Sequence, residues 1–141
     1  MHIIFYEKPG CSGNASQKAW LQAAGHTLEV RNLLGWAWTR EELLGFLGEL
    51  PVTQWFNRAA PRVKSGEIVP EALDRETAIR TLLDEHLLIR RPLLRREDGL
   101  CLVGFEAAPL AHFLSLEAAV AAPGEGCAAR AMEPCPAPQA I

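Results

Sequence analysis

The apolar positions of the chain fall into blocks whose period changes from strand-like to helical and back. His2 to Tyr6 is a short run rich in β-formers and predicts a first strand. Lys8-Pro9-Gly10-Cys11-Ser12-Gly13-Asn14 follows as a turn-rich loop. From about Ala15 to Ala24 the period is helical, with Trp20, Leu21 and Ala24 on one face, and Gly25 ends the helix. His26 to Leu33 alternates loosely through Leu28 and Val30 and predicts a second strand. Strand, helix and strand in about thirty residues form a βαβ unit, whose crossover is right-handed.

The middle of the chain is helical. Thr39 followed by Glu42 has the form of a capping box, and Leu43, Leu47 and Leu50 continue at helical spacing, widened by Leu44 and Phe46. A short segment with Trp55 and Phe56 follows Pro51, and a polar loop runs from Pro61 to Pro70. Asp74 and Thr77 open another helix carrying Ile79, Leu82 and Leu83. Pro92 to Arg96 and Leu100 to Phe105 predict two strands joined at Asp98-Gly99, a hairpin signal. A last helix is expected over Ala108 to Ala119, packing through Leu110, Phe113, Leu114 and Leu116. From Ala121 onward Ala, Pro and Gly dominate, which predicts a disordered tail over 121–141. The order β-α-β, helical insert over about 36–86, then β-β-α, predicts an α/β domain over 1–120. Parallel strands from the first half and a hairpin from the second make a mixed four-stranded sheet with flanking helices, the thioredoxin-like arrangement.

Composition adds boundaries to this picture. The 141 residues suit one domain large enough to fold without disulfide staples. The formal net charge of -3, with both signs mixed, argues against nucleic acid or a polybasic membrane contact driven by bulk charge. The apolar start is too short for a secretory signal, and no run approaches membrane-spanning length, so a cytoplasmic location is expected. Cys11, Cys101, Cys127 and Cys135 match no zinc spacing, and in a cytoplasmic protein they read as four free thiols. His2, His26, His86 and His112 are scattered, so no metal site is expected. Trp36 and Trp38 read as packing residues, with a partner-binding surface as the alternative.

Cys11 carries the candidate chemistry. It stands between the first strand and the first helix, where unpaired N–H groups and the helix dipole stabilise an anion. The thiolate is the nucleophilic form of cysteine, so this position predicts a reactive sulfur. Gly10 and Gly13 allow close backbone approach, and Lys8, Ser12, Gly13 and Asn14 are the anion-binding candidates around it, with Glu7 opposing the charge of Lys8. Arg91 precedes Pro92, and X-Pro bonds are those in which cis is accessible. A cis Pro92 is expected to bring Arg91 to Cys11, where its fork of donors suits an oxyanion. Arg58 is a second candidate from the insert; the alternative for both arginines is solvation or pairing with Asp84 or Glu85. Cys101, between Leu100 and Leu102, reads as a core residue.

Several of these stretches together resemble a known family. Ile4-Phe5-Tyr6 with Pro9-Gly10-Cys11, Lys18-Ala19-Trp20-Leu21, Leu88-Ile89-Arg90-Arg91-Pro92-Leu93 and Val103-Gly104-Phe105 resemble the glutaredoxin-dependent arsenate reductases (ArsC) and their Spx relatives. Tyr6-Glu7-Lys8-Pro9-Gly10-Cys11 and the stretch from Trp55-Phe56-Asn57-Arg58 to Lys64-Ser65-Gly66 resemble the nitrogenase-associated branch. The likeness runs over about residues 2–118. It implies a thioredoxin-like fold with a helical insert, Cys11 as nucleophile and Arg91 as the arginine before a cis proline, with Arg58 as an insert arginine. It also implies no bound cofactor, and glutathione or glutaredoxin as reductant. Three positions depart from the reductases. Leu100 to Phe105 has no arginine, Asn14-Ala15-Ser16 stand where another arginine is found, and Glu7 replaces a histidine. The Cys-x-x-Cys pair of the Spx switch is also missing, because Asn14 fills its fourth position. Two functions follow. One is a thiol oxidoreductase using Cys11, partnered by glutaredoxin. The other is a non-catalytic accessory that binds a nitrogenase-system protein.

Overall fold

The computed structural model describes residues 1–115. Its elements in chain order are β1 (His2–Glu7), α1 (Ser12–Ala23), β2 (Thr27–Asn32), α2 (Arg40–Leu47), α3 (Pro61–Lys64), α4 (Arg75–Asp84), β3 (Leu93–Arg96), β4 (Cys101–Val103) and α5 (Ala107–Leu114). Short 3₁₀ turns occupy Val52–Gln54, Pro70–Ala72 and His86–Leu88. The chain divides into two compact units, Met1–Leu33 with the segment from Arg91 on, and Leu34–Arg90.

The first unit holds the sheet, in the order β2-β1-β3-β4. β1 is parallel to β2 and antiparallel to β3, and β3 is antiparallel to β4. This is the mixed α/β sheet that the element order predicts. Strand β1 is central, and Ile3, Phe5 and Tyr6 are fully buried there, which is why it reads as a nearly continuous apolar run. Ile3, Phe5, Leu21, Leu94, Leu102, Phe105, Leu110, Phe113 and Leu114 make one core, with Trp20 edge-on to Phe105 at 6.1 Å.

Turn chemistry sets the ends of these elements. Gly25, at φ +98°, follows the last turn of α1, and its N–H donates to the Gln22 carbonyl. Gly99, at φ +92°, turns the β3–β4 hairpin, where Asp98 Oδ1 accepts from the Leu100 N–H at 3.2 Å. Arg96 donates to the Phe113 carbonyl at 2.8 Å, so a basic side chain caps the last turn of α5. That helix stops at Leu114, with Ser115 left-handed at φ 59°, short of the predicted end at Ala119. Positions 116–119 and the predicted tail, with Cys127 and Cys135, lie outside the described residues.

The second unit is helical. Thr39 Oγ1 accepts from the Glu42 N–H at 3.1 Å and caps α2, but the Glu42 carboxylate accepts from Trp36 Nε1 at 3.0 Å. The capping box is therefore half formed, because the indole takes its return arm. Trp36 and Trp38 pack edge to face, and Trp38 repeats the geometry on Phe46 at 5.8 Å, so both serve packing. Asp74 caps α4 through the Thr77 N–H at 2.7 Å, as the sequence predicts. Leu50 falls outside α2, and the loop predicted over Pro61 to Pro70 contains the one-turn helix α3 with Pro61 in its first turn.

The stretch Trp55 to Ala60 is the structural hub of this unit. Trp55, Phe56 and Ala60 are buried, and Trp55 Nε1 donates to the Leu50 carbonyl at 2.9 Å. Phe56 pairs with Ile89, the Asn57 N–H donates to the Leu88 carbonyl at 2.7 Å, and the Arg90 N–H donates to the Trp55 carbonyl at 2.9 Å. Packing and backbone pairing thus account for most of the residues in this distinctive stretch. Among the described residues, no helix is long and apolar enough to cross a membrane.

Candidate active site around Cys11

The chain leaves β1 and reverses at once. Pro9 and Gly10 form the corner of a β-turn closed by the Cys11 N–H donating to the Lys8 carbonyl at 3.1 Å. Gly10 sits at φ +81°, and a Cβ there would meet nothing within 4 Å. The backbone angle, not crowding, therefore calls for glycine, as in a type II turn with proline before it. Cys11 is the N-cap of α1, and its carbonyl accepts the first helical bond, from the Ala15 N–H at 3.0 Å. The segment Ser12-Gly13-Asn14, predicted as loop, is instead the first turn of α1. Gly and Asn weaken a helix interior, but at the first turn the cap geometry and the packing of Leu21 decide.

Cys11 is 4% exposed. Burial by itself pushes the thiol up, since it penalises the anion. The Asn14 backbone N–H, the charge of Arg91, a hydrogen bond from its side chain and the Gly13 backbone N–H outweigh that, and the thiol lies below its ordinary value. The first turn of α1 carries no acidic residue, so nothing there offsets the helix dipole. Glu7 does not stand free beside the cysteine, because Lys18 holds its carboxylate at 2.5 Å.

The Arg91–Pro92 peptide is cis, Pro92 is buried, and the Pro92 carbonyl accepts from the Gly104 N–H at 2.9 Å. Arg91 acts on Cys11 directly, and its Nε is buried without a hydrogen-bond partner. Arg31 is held by Glu29 and Tyr6, and Arg96 by Asp98 and the Phe113 carbonyl. Arg58 belongs to the helical unit, where Glu71 takes its guanidinium at 2.7 Å and the Thr53 carbonyl at 2.9 Å.

Sequence reasoning missed the buttress under the loop. The Asn14 side chain, an anion-binding candidate, is turned to structure. Its Oδ1 accepts from the Lys8 N–H at 2.9 Å, and its Nδ2 donates to Gln17 Oε1 at 2.8 Å. Asn14 and Gln17 are fully buried, so these bonds tie the turn to the helix from within. The i, i+3 spacing of two amides was the available signal. Lys8 enters the site through its backbone, as donor to Asn14 and acceptor from Cys11. Cys101 is half-buried, burial raises its thiol against the partial pull of Arg95, and its Sγ lies 3.4 Å from the Gly99 carbonyl.

The sheet order, the Cys11 N-cap and the cis Pro92 define a thioredoxin-like protein with the fold of the ArsC-type proteins. An ArsC-family-related protein from Bacteroides fragilis has a TM-score of 0.68 and 27% identity, over 81% of this chain and 99% of that one. An arsenate reductase from Vibrio cholerae has the same fold, with a TM-score of 0.64, 22% identity, and coverage of 82% of this chain and 98% of that one. In sequence the chain is similar to an uncharacterized 15.7 kDa protein in the draG 3′ region of Rhodospirillum rubrum. The two are 50% identical over 92 residues, 65% of this chain and 64% of that protein, so the match spans less than two-thirds of the relative. No protein-family model matches the chain.

Proposed function

We propose that the protein is a thiol oxidoreductase that reduces disulfides through Cys11. The observation that carries this reading is a buried sulfur at the N-cap of α1, with the Arg91 guanidinium acting on it and its thiol held below the ordinary value. The Cys11 thiolate attacks one sulfur of a disulfide. The new Cys11–S bond forms as the old S–S bond breaks, and the other sulfur leaves as a thiolate that takes a proton from water. Asn14 fills the position where a local resolving cysteine would stand, so an external thiol completes the cycle. Glutathione or glutaredoxin attacks the mixed disulfide, is oxidised in turn, and returns Cys11 as a thiolate. The ArsC-type fold and the sequence resemblance support that reductant, and a reducing cytoplasm suits it.

A disulfide fits the site better than arsenate. The tetrahedral oxyanion calls for several charge-assisted donors, and Arg91 is the arginine that acts on Cys11. Arg91 instead stabilises the attacking and departing thiolate.

One observation favours a second reading. Leu100 to Phe105, where the reductases carry an arginine, has none. A non-catalytic accessory of a nitrogenase system fits that loss, and the draG-region relative and the resemblance to the nitrogenase-associated branch support the setting.

A glutathione-coupled assay with small mixed disulfides, with and without glutaredoxin, tests the proposal. Turnover that disappears in Cys11→Ser supports it. Turnover that survives the substitution overturns it, and a wild-type chain without turnover favours the accessory.

A further inference from the structure

Strand β2 is one edge of the sheet, and five of its features agree on a single occupant. It is six residues long and exposed along most of its length, whereas the other edge, β4, has three residues, two of them buried. The Thr27 N–H donates to the Met1 carbonyl at 3.0 Å and the Leu33 N–H to the Glu7 carbonyl at 2.8 Å. The odd-numbered residues of β2 therefore turn their backbone groups to β1, and Leu28 and Val30 turn theirs outward. Val30 is 44% exposed and continues a row whose other members, Leu102, Leu94 and Phe5, are buried side by side across the sheet. On the opposite face Glu29 and Arg31 lie two residues apart, bonded at 2.6 Å.

We infer that β2 pairs antiparallel with β2 of a second copy of this chain, with Val30 on the twofold axis. This register follows from backbone and charge together. Centring on Val30 sets the two outward-facing Val30 backbones opposite each other, so they exchange hydrogen bonds. It also sets Glu29 of each copy opposite Arg31 of the other, at the non-hydrogen-bonded positions where side chains approach most closely. A twofold centred on Glu29 or on Arg31 sets like charges opposite and turns the wrong backbone groups to the partner. The twofold keeps like faces together, so the apolar row runs on through Val30 into the Val30 and Phe5 of the partner copy, and the exposed valine is covered. A strand edge buries less area than an obligate dimer needs, so the association is weak and concentration-dependent.

Sedimentation equilibrium of the full chain across a micromolar to millimolar series tests the inference. A reversible monomer–dimer equilibrium is expected. Val30→Pro removes an outward N–H and no bond to β1, and it abolishes the dimer while the circular dichroism spectrum stays native. Glu29→Arg and Arg31→Glu each weaken self-association by about tenfold or more, because both cross-strand pairs become repulsive. Mixing those two variants restores a dimer of one copy of each, and the doubly exchanged chain, Glu29→Arg with Arg31→Glu, restores the homodimer. A chain that stays monomeric throughout the series, a dimer that survives Val30→Pro, or variants that fail to recover on mixing would each overturn the inference.

Discussion

Replacing Arg91 tests the electrostatics of the site most directly. Cys11 is 4% exposed, so its anion depends mainly on protein groups for its stabilisation. Arg91 supplies both a charge and a hydrogen bond to that sulfur, while the Gly13 and Asn14 N–H groups stay in place. A hydrogen bond to a charged group is worth about 1.5–3 kcal/mol, and each 1.4 kcal/mol is a factor of about ten. Below the wild-type titration midpoint the thiolate fraction scales with the acid constant. Arg91→Ala therefore lowers the rate of Cys11 alkylation in that range about tenfold to a hundredfold and moves the midpoint upward. Arg91→Lys keeps the charge without the fork and falls between. The assay is site-resolved alkylation by iodoacetamide against pH, read by mass spectrometry, with Cys101 as an internal control. A neutral reagent is needed, because a charged one would itself feel the guanidinium. Losing the side chain also opens the site, so the midpoint, not the absolute rate, is diagnostic. An unchanged or lower midpoint in Arg91→Ala would refute the reasoning.

The same lowered thiol has a consequence for stability. The folded Cys11 titrates below its unfolded value, so it binds fewer protons than the unfolded state between the two. Its contribution is fully present above about pH 8.5, the ordinary thiol value, and is lost as pH falls through the lowered folded value. Cys101 has the opposite sign, since its raised thiol makes stability fall as pH rises. The difference between wild type and Cys11→Ser in urea unfolding isolates Cys11, and it should grow with pH up to about 8.5; a flat difference contradicts the assignment. Asn14→Ala removes the bonds to the part-buried Lys8 N–H and to Gln17 Oε1, and should cost about 1–3 kcal/mol in the same measurement while raising the Cys11 midpoint. A loss under about 0.5 kcal/mol would show that the buttress is dispensable.

Much of this protein is legible before any coordinates, because its signals are local. Proline and glycine at 9 and 10 dictate a turn, and Gly10, Gly25 and Gly99 take left-handed corners at φ +81°, +98° and +92°. The caps at Thr39 and Asp74 bond to groups three residues on, and the apolar run of β1 announces a strand buried on both faces. The order of elements then leaves few topologies, since connections are short and crossovers have one hand. Tertiary structure decided what depends on residues distant in sequence. The sequence places an arginine before a proline eighty positions after the cysteine, and the pairing of β1 with β3 brings them to one sulfur. Competition for partners is likewise invisible along the chain. Glu42 prefers the Trp36 indole to its own helix cap, Glu7 is taken by Lys18, and the Asn14 amide is spent on Lys8 and Gln17. A residue type announces which bonds a side chain can make; which of them it makes depends on the neighbours that folding sets within about 3 Å.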